Sequence, residues 1–520
     1  MKKFIKILKS IAIIFLFIIA VITIAIIWPL SELKMPDKHS SILLKNANII
    51  DVETGEIFKN RDILIKENII FKIDSSGNAL STSTASLIID VSGQFIIPGL
   101  WDMHTHSNQH SPWLHHPIYI ANGVTGVRDM SGQLDRKDSY WVGSRERLMW
   151  NAELKTNSRI TPRYVLQSSY QMDGSASVPD GFPSFFKLSK ESDVDSLLGF
   201  YREEKVDFIK IYQQIPSNVY QKLAVEAPRY NMYLAGHKPV FVTLEDAVEL
   251  GQKSFEHGRI FMYECFPESE NLRTSDNWKP LFREYKRSMV EDFDTLKATH
   301  LMKLMARKNA YWVPTLQTLK FEAFAHKDSF VDNPYLKYIT NTRKKLWWGG
   351  DIKNNKKLNL SEESAGISIN FYNYAKEQIK KANELGVPIM AGTDVTDSYT
   401  FAGFSLHDEL KELTESGLSN LEALQSATIV PVQYANQDQK YGSITEGKIA
   451  DIVILKKNPL KNINHSTTIS SVILNGLYFD SKKIEEMKKY TQSNASSFHM
   501  NIKVFYSLIR SPLIRVQFKD

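Results

Sequence analysis

The stretch that decides the fold is FIIPGLWDMHTHS, residues 95–107. It places His104 and His106 after an apolar run that a Pro-Gly pair interrupts. Because side chains two residues apart in a β-strand point to the same face, both imidazoles project together while Thr105 points away. Two imidazoles at the end of a buried strand form half of a metal site. The alternative is a pair of polar residues that merely end a strand. Whether the two histidines belong to a metal site therefore depends on finding further metal ligands elsewhere in the chain.

Length and composition exclude several classes of protein. A chain of 520 residues is too long for one small core, so several structural units are expected. The net charge of +6 is modest for this length and forms no long basic run, which argues against a nucleic-acid partner. Cys265 is the single cysteine, so an intramolecular disulfide is impossible.

The N-terminus predicts a membrane anchor. Four lysines fall within residues 1–10, and residues 11–30 then run without a charge, with Trp28 where an interfacial aromatic residue belongs. The run lacks an Ala-x-Ala cleavage site and is longer than the apolar part of a cleaved signal. We therefore expect a single-pass helix in the cytoplasmic membrane with a cytoplasmic N-terminus, a linker over 31–40, and the main body on the extracytoplasmic side. A long cleaved signal peptide is the alternative.

The rest of the chain reads as α/β. Ile- and Leu-rich strand segments separated by turns lie in residues 41–98 and again in 433–480, and together they could form one small β-domain. Between them, residues 99–432 alternate short apolar strands with helical stretches, as a parallel (β/α)8 barrel requires. The eight strand candidates end at 104–106, 123–130, 159–168, 207–212, 232–238, 253–258, 310–316 and 386–394.

Two long segments interrupt the strand–helix alternation. About fifty residues separate SFEHG from the seventh strand candidate, and an aromatic and charged insertion follows at about 320–365. Such insertions act as lids or specificity elements when they lie over a site, or they pack on the outside of the barrel. Both interpretations of the insertion remain open from the sequence.

Polar residues gather at the predicted strand ends. Besides the first two histidines, they are Lys210, His237, His257 and Asp394. Each has an ordinary explanation alone, such as a core histidine, a loop cap or a helix N-cap. Lys210 lies inside an apolar strand, where an unpaired charge is costly. It is either one partner of a Lys–Asp ion pair or an amine that has reacted with CO2 to give a carbamate.

Seven segments of the chain, in combination and in their order, resemble the metal-dependent amidohydrolase superfamily. They are PGLWDMHTH, GVTGVRDM, DFIKIY, AGH, SFEHG, AGTD and GSITEGKIADIVIL. Within this superfamily they are most similar to the imidazolonepropionase-like and Xaa-Pro dipeptidase-like branch, over about residues 41–480. The resemblance implies a (β/α)8 TIM barrel carrying a small β-sandwich built from both ends of the soluble chain. The family's deaminases are less similar, because they typically use one metal and lack the lysine of the fourth strand.

The resemblance also implies a ligand set for two divalent ions. His104, His106 and Asp394 would hold the more buried ion, His237 and His257 the more exposed one, with carboxylated Lys210 and a hydroxide bridging them. Zinc is favoured over manganese, cobalt or iron. Asp394 would act as general base towards the hydroxide and then as general acid towards the leaving nitrogen.

These residues predict a membrane-anchored, binuclear metal-dependent hydrolase acting on a C–N bond in a small molecule or dipeptide, whether peptide, amide or cyclic amide. The same metal pair would also serve a lactone, ester or phosphoester. A non-catalytic surface binding protein on the same barrel is the alternative from another class.

Three further residues are candidates for contacts with the substrate or with the metal ligands. Tyr212 follows Lys210 by two residues and therefore faces the same way. Arg128 either orients ligands or pairs with its neighbour Asp129. His407 follows the Asp394 loop and begins a helix, where it either contacts the ligands or lies on the surface.

The C-terminal extension, residues 481–520, exceeds what the family pattern requires. Its last part mixes bulky apolar residues with Lys503, Arg510, Arg515 and Lys519. It is either a segment docked on the barrel or an element that lies on the bilayer holding the anchor.

Overall fold

The computed structural model describes residues 2–77, 85–130, 132–133, 138–170, 172–174 and 186–512, so Arg515 and Lys519 lie outside the described residues. The strands are β1 (Ser41–Ile50), β2 (Ile57–Lys66), β3 (Ile69–Ser75), β4 (Leu87–Asp90), β5 (Phe95–Pro98), β6 (Leu100–Thr105), β7 (Val124–Asp129), β8 (Arg163–Tyr164), β9 (Phe208–Ile211), β10 (Tyr233–Gly236), β11 (Ser254–Glu256), β12 (Tyr311–Val313), β13 (Ile452–Leu455), β14 (Ile469–Leu474) and β15 (Leu477–Phe479).

The helices are α1 (Lys2–Ile27), α2 (Ser111–Leu114), α3 (His116–Ala121), α4 (Ser144–Lys155), α5 (Val194–Glu203), α6 (Ser217–Glu226), α7 (Leu244–Glu249), α8 (Ser269–Thr274), α9 (Trp278–Tyr285), α10 (Ser288–Glu291), α11 (Thr295–Arg307), α12 (Leu316–Phe324), α13 (Asp328–Val331), α14 (Asn341–Arg343), α15 (Gly349–Leu358), α16 (Glu362–Glu384), α17 (Phe404–Glu415), α18 (Asn420–Ser426), α19 (Ile429–Tyr434), α20 (Ser481–Ser496) and α21 (Phe498–Arg510). Short 3-10 helices span Glu191–Asp193, Ala227–Tyr230, Pro334–Tyr338 and Ile463–Thr467, and Lys344–Trp348 forms a π-helical turn.

Strands from both ends of the soluble chain form one eight-stranded sheet. Its order is β15-β14-β13-β5-β1-β2-β3, with β4 also paired to β1. The junction between the two ends is the antiparallel pairing of β5 with β13, in which Ile97 faces Val453. Alternate positions such as Ile42, Leu44 and Ile454 are buried in a common core. The two predicted strand groups therefore assemble into one unit.

The predicted central strands are parallel, and each pairs with the next strand along the chain, either in a sheet or through an isolated bridge. One sheet runs β6-β7-β8 and another β9-β10-β11-β12. Bridges join Ser168 to Phe208, Trp312 to Ile389 and Thr105 to Val395, the last two through the segment that follows α16. That eighth strand candidate makes an isolated bridge at Ile389 in place of a continuous strand, and its backbone turns to a φ of 61° at Asp394, just before the bridge at Val395.

The N-terminal helix is long and apolar enough to cross a membrane, judged by its length and composition. It begins at Lys2, earlier than the predicted apolar run, and ends at Ile27, two residues before Pro29. Most of its apolar side chains are exposed. Helix α21 packs against its C-terminal end, where Lys503 Nζ donates to Ile26 O and the His499 ring contacts Trp28 O at 2.9 Å.

Gly392 offers a test of the close packing between the first and eighth strand segments. A Cβ there would lie 2.5 Å from Val313 Cγ1 and 2.9 Å from His104 N. We expect Gly392→Ala to lower the free energy of unfolding by about 1–3 kcal/mol, since the neighbours must move. Gly366→Ala, in α16 with nothing within 4 Å, should leave stability unchanged or raise it slightly. Equal unfolding midpoints for the two solubilised variants would contradict this packing.

Candidate metal centre

One cavity of about 250 Å³ brings together all six predicted ligands at the ends of the parallel strands. Its lining includes His104, His106, Lys210, His237, His257 and Asp394. The nitrogens Nε2 of His104 and His106 are 3.3 Å apart, so the first two histidines do face the same way. The alternation of β6 thus predicted their common direction correctly.

A fully buried carboxylate fixes the His104 ring. Its Nδ1 donates to Glu256 Oε2 at 2.9 Å, which leaves Nε2 to face the cavity. Glu256 Oε1 in turn accepts from Arg128 Nη2 at 2.8 Å, and Arg128 Nε donates to Met103 O. A carboxylate behind a ligating imidazole sets its tautomer and raises its basicity. Glu256 was not among the predicted residues, although a Glu within the apolar SFE strand was a usable signal.

The carboxylate of Asp394 lies among three imidazoles. Its Oδ1 is 2.9 Å from His106 Nε2 and 3.3 Å from His104 Nε2, and its Oδ2 is 3.6 Å from His257 Nδ1. Asp394 and His257 have φ values of 61° and 74°, a strained conformation of the kind found at functional sites. This local geometry aims both side chains into the cavity.

His237 and His257 form a second pair. Their Nε2 atoms are 2.7 Å apart, and His257 Nδ1 is 2.8 Å from the Thr315 hydroxyl. In the part of the chain that the structure describes, the buried Nδ1 of His237 has no hydrogen-bond partner. Burial, with Lys210 as a further cause, holds the pKa of His104, His237 and His257 well below the usual range, so these rings are neutral donors of a lone pair.

Lys210 is buried at the base of the cavity. Its Nζ is 3.5 Å from His104 Nε2, and among the described residues it has no carboxylate within ion-pair distance. This geometry does not support the Lys–Asp pair that the sequence left open. Burial lowers the pKa of the lysine to about 8, which increases the share of neutral amine.

A buried aspartate ties the first and eighth strand segments together. Asp102 Oδ2 accepts from the Thr393 hydroxyl at 2.7 Å, and Asp102 Oδ1 accepts from Thr393 N at 3.1 Å. Burial raises the pKa of Asp102 to about 7. These bonds hold Asp394 next to His104, and Asp102 is a second residue that sequence reasoning missed.

The three further candidates, Tyr212, Arg128 and His407, differ in where the structure places them. Tyr212 lines the cavity with its ring 4.8 Å from that of His237. Arg128 lies behind His104 and pairs with Glu256, whereas Asp129 pairs with Arg147, so the alternative of an Arg128–Asp129 pair is wrong. His407 lies outside the cavity.

The prediction that His407 contacts the ligands or lies on the surface is wrong on both counts. It is buried between α17 and the Ile463–Thr467 helix, with its ring 2.8 Å from the Ser466 hydroxyl and 3.1 Å from Asn122 O. Helical periodicity turned it inwards, away from the Asp394 loop.

The insertion borders the cavity. Arg343 and Trp347, which belong to the predicted 320–365 segment, line it together with Arg259 and Trp141. Arg343 Nη1 donates to Tyr140 OH, and its Nη2 donates to Thr396 O beside Asp394. The alternative that the insertion only packs on the outside of the barrel is therefore wrong for the part that contains Arg343 and Trp347.

The donor set fits a divalent metal. His104, His257 and Asp394 offer ligand atoms that all lie within 4.8 Å of one another, which is a spacing that one ion can bridge. Neutral imidazoles with a carboxylate are the ligands of zinc and similar ions. The Nε2 atoms of His237 and His257, 2.7 Å apart, lie on the same cavity and are two further imidazole donors beside this cluster.

Comparisons with known proteins agree with this arrangement. The profile of the amidohydrolase family matches residues 221–478. A dihydroorotase from Carboxydothermus hydrogenoformans is 38% identical over 92 residues, which are 16% of this chain and 20% of that protein. An adenine deaminase from Desulfatibacillum aliphaticivorans is 34% identical over 93 residues, which are 18% of this chain and 15% of that protein. The chain thus spans a fifth or less of the length of these curated relatives.

Solved structures share the fold over most of the chain. Bottromycin amidohydrolase superposes with a TM-score of 0.67 and 19% identity, covering 88% of this chain and 91% of its own. A Xaa-Pro dipeptidase with bound methionine in its active site gives 0.60 and 19%, covering 85% of this chain and 100% of its own. The α/β fold and the His/His/Asp cluster agree with the family match, and residues 221–478 form an amidohydrolase-family domain.

Proposed function

We propose that the chain is a metal-dependent hydrolase of a C–N bond in an amide, cyclic amide or peptide. The observation that carries the proposal is the convergence of four imidazoles, one aspartate and one lysine in a single cavity, with His104 held by Glu256. The relatives named dihydroorotase and adenine deaminase support the hydrolysis of a C–N bond in general. The family match supports the same reaction class.

We further infer that the parallel strands and the segment after α16 close into a (β/α)8 barrel. Three parallel bridges support closure. They link the segment after β8 to β9, β12 to the segment after α16, and that segment back to β6, through Ser168, Trp312 and Thr105. The eight-stranded sheet would be the small β-sandwich, spanning 41–98 and 433–480, with the barrel over 99–432. The site lies at the strand C-terminal ends, as in barrel enzymes.

The proposed ligands follow the predicted division. His104, His106 and Asp394 would hold one ion and His237 and His257 the other, with Lys210 as a carbamate contributing a further ligand; His257 lies close enough to His104 and Asp394 that the two ligand groups adjoin. When bound, such a metal pair supplies an activated water at neutral pH and polarises a carbonyl. Asp394 would hold and move the proton, since it is the one carboxylate among the predicted ligands, and its Oδ1 lies 2.9 Å from His106 Nε2.

Other cavity residues would bind and orient the substrate. Tyr212 presents its ring beside His237, and Arg343 lies beside the Asp394 loop. Trp141 stands edge-on to His106 with ring centres 6.2 Å apart and covers that side of the site. These groups would exclude bulk water around the scissile bond.

We also propose that α1 crosses the cytoplasmic membrane and that α21 lies on its outer surface. Phe498, Ile502, Phe505 and Ile509 recur at helical spacing along the outward face of α21. Phe498, Phe505 and Ile509 are exposed, while Val504 and Leu508 on the other face are buried. The contacts of α21 with Ile26 and Trp28 set it at the level where α1 would leave the hydrocarbon core.

Metal content tests the proposed function. The full chain, purified without chelator, should carry about two divalent ions and hydrolyse members of a panel of dipeptides and cyclic amides. Lys210→Ala should lower the ion count, measured by plasma mass spectrometry, and abolish turnover. Lys253→Ala is the control, since Lys253 also has its pKa lowered to about 8 by burial yet lies outside the cavity and donates to Tyr434 O.

Two results would contradict the proposal. A chain that binds no metal when zinc is offered back cannot use this site as proposed. If the chain hydrolyses lactones but no amides, its function is the hydrolysis of a C–O bond and the proposed C–N bond is wrong.

The hydroxyl behind His257 gives a second test. Thr315→Val removes the partner of His257 Nδ1 with little change of shape, and we expect about 10–100-fold weaker metal binding. Affinity is measured by competition with a coloured chelator. Thr428→Val, which removes a buried hydroxyl bonded to Leu424 O, should not change it. An equal loss in both variants would show that general destabilisation is responsible.

Contact of α1 and α21 with lipid can be tested by labelling single introduced cysteines. The native Cys265 is buried, so the introduced cysteine is the exposed one. A fluorophore on Phe505→Cys in the full chain in vesicles should be quenched by lipid-borne nitroxides, as should one on Trp28→Cys. A label on Glu384→Cys, an exposed site in α16, should be quenched only by a soluble agent. Quenching at Trp28 without quenching at Phe505 would reject the α21 contact and keep the anchor.

A further inference from the structure

A second cavity of about 570 Å³ adjoins the metal centre and is more than twice its volume. The two cavities share Gln213, Arg259, Trp347 and Asp397, so they communicate directly. We name the second one the outer chamber; α9, α12, α15 and α16 contribute to its wall. Its volume is that of a site for a drug-sized ligand.

The chamber is built largely by the two long insertions. Helix α9 comes from the segment after β11, and α15 from the insertion that precedes α16. On α9, Trp278 and Phe282 lie one turn apart, and so do Lys279 and Arg283, and all four line the chamber. The insertions therefore supply one apolar strip and one basic strip along the same wall.

The basic strip is available for a ligand, whereas the other cations of the chamber are paired. Arg259 and Lys286 lie 3.0 Å and 3.7 Å from the Glu322 carboxylate. Lys279 and Arg283 are exposed and, within the described part of the chain, have no acidic partner at ion-pair distance. An anionic group reaching this strip would gain charge-assisted hydrogen bonds.

Two buried amides face the chamber with an unused acceptor. Asn355 and Asn359 are 6% and 7% exposed, and the Nδ2 of each donates to Glu322 O at 2.9 Å and 3.3 Å. Neither Oδ1 atom has a hydrogen-bond partner among the described residues. A buried acceptor without a partner is costly, so a donor from a ligand would be stabilising.

We propose that the outer chamber binds the remote part of the substrate and that this part is an aromatic or long acyl group ending in a carboxylate. Trp278 and Phe282 contact the apolar body, Lys279 and Arg283 bind the carboxylate, and the asparagines accept from an N–H or O–H group along it. This assignment rests on the proposed hydrolase function, since the scissile bond must lie at the metal centre. It makes the preferred substrate an extended amphipathic acid larger than a dipeptide.

The test is calorimetric binding of two probes to the full solubilised chain. The probes are 4-(4-carboxyphenyl)butanoate and 4-phenylbutanoate, which differ by one ring carboxylate. The dianion should bind about tenfold more tightly, the effect of one charge-assisted bond. Lys279→Ala with Arg283→Ala should remove that difference, and Trp278→Ala should weaken both probes.

A matched control is present in α11, where Lys303 and Arg307 have the same spacing and exposure but lie outside the chamber. Their double alanine variant should keep the tenfold difference. Equal affinity of the two probes for the unaltered chain, or a difference that survives in the α9 variant, would overturn the proposal. Because binding is read without turnover, tenfold discrimination in a chain that hydrolyses no amide would reject the enzyme function and keep the chamber.

Discussion

The buried Glu256 carboxylate connects two groups on which the candidate metal centre depends. Arg128, a fully buried cation from β7, reaches across to Glu256 on β11, and Glu256 accepts from His104 on β6. A buried ion pair gives little net stability, but removing one partner leaves a charge that the interior cannot tolerate. The pair therefore fixes the relative position of three strands and, with it, the direction of the first ligand.

Several features of the site follow from short-range rules. Alternation along a strand was enough to predict that His104 and His106 face one cavity, and strand ends were enough to group them with His237, His257 and Asp394. His407 was misjudged because proximity in sequence to Asp394 does not determine which face of α17 it occupies. Glu256 was missed because a second carboxylate behind a ligand has no spacing rule of its own.

The outer chamber shows where sequence reasoning stops. Its walls come from helices far apart in the chain, and the pairing of Arg259 and Lys286 with Glu322 is a tertiary contact that no local pattern encodes. The insertions could be recognised as departures from the strand–helix alternation. Their joint enclosure of one cavity depends on how α9 and α15 pack, which only the folded chain reveals.

The pairing of β5 with β13 has a consequence for biogenesis. The N-terminal strands cannot complete their sheet until the last part of the central unit has been synthesised, because the partner of β5 lies beyond it in the chain. Contacts of such long sequence separation form late and slow folding. If α1 is inserted first, the nascent strands β1–β5 wait at the membrane with an unpaired edge, which is a site for aggregation or chaperone capture. The yield of folded protein should then be limited by completion of this sheet more than by translation.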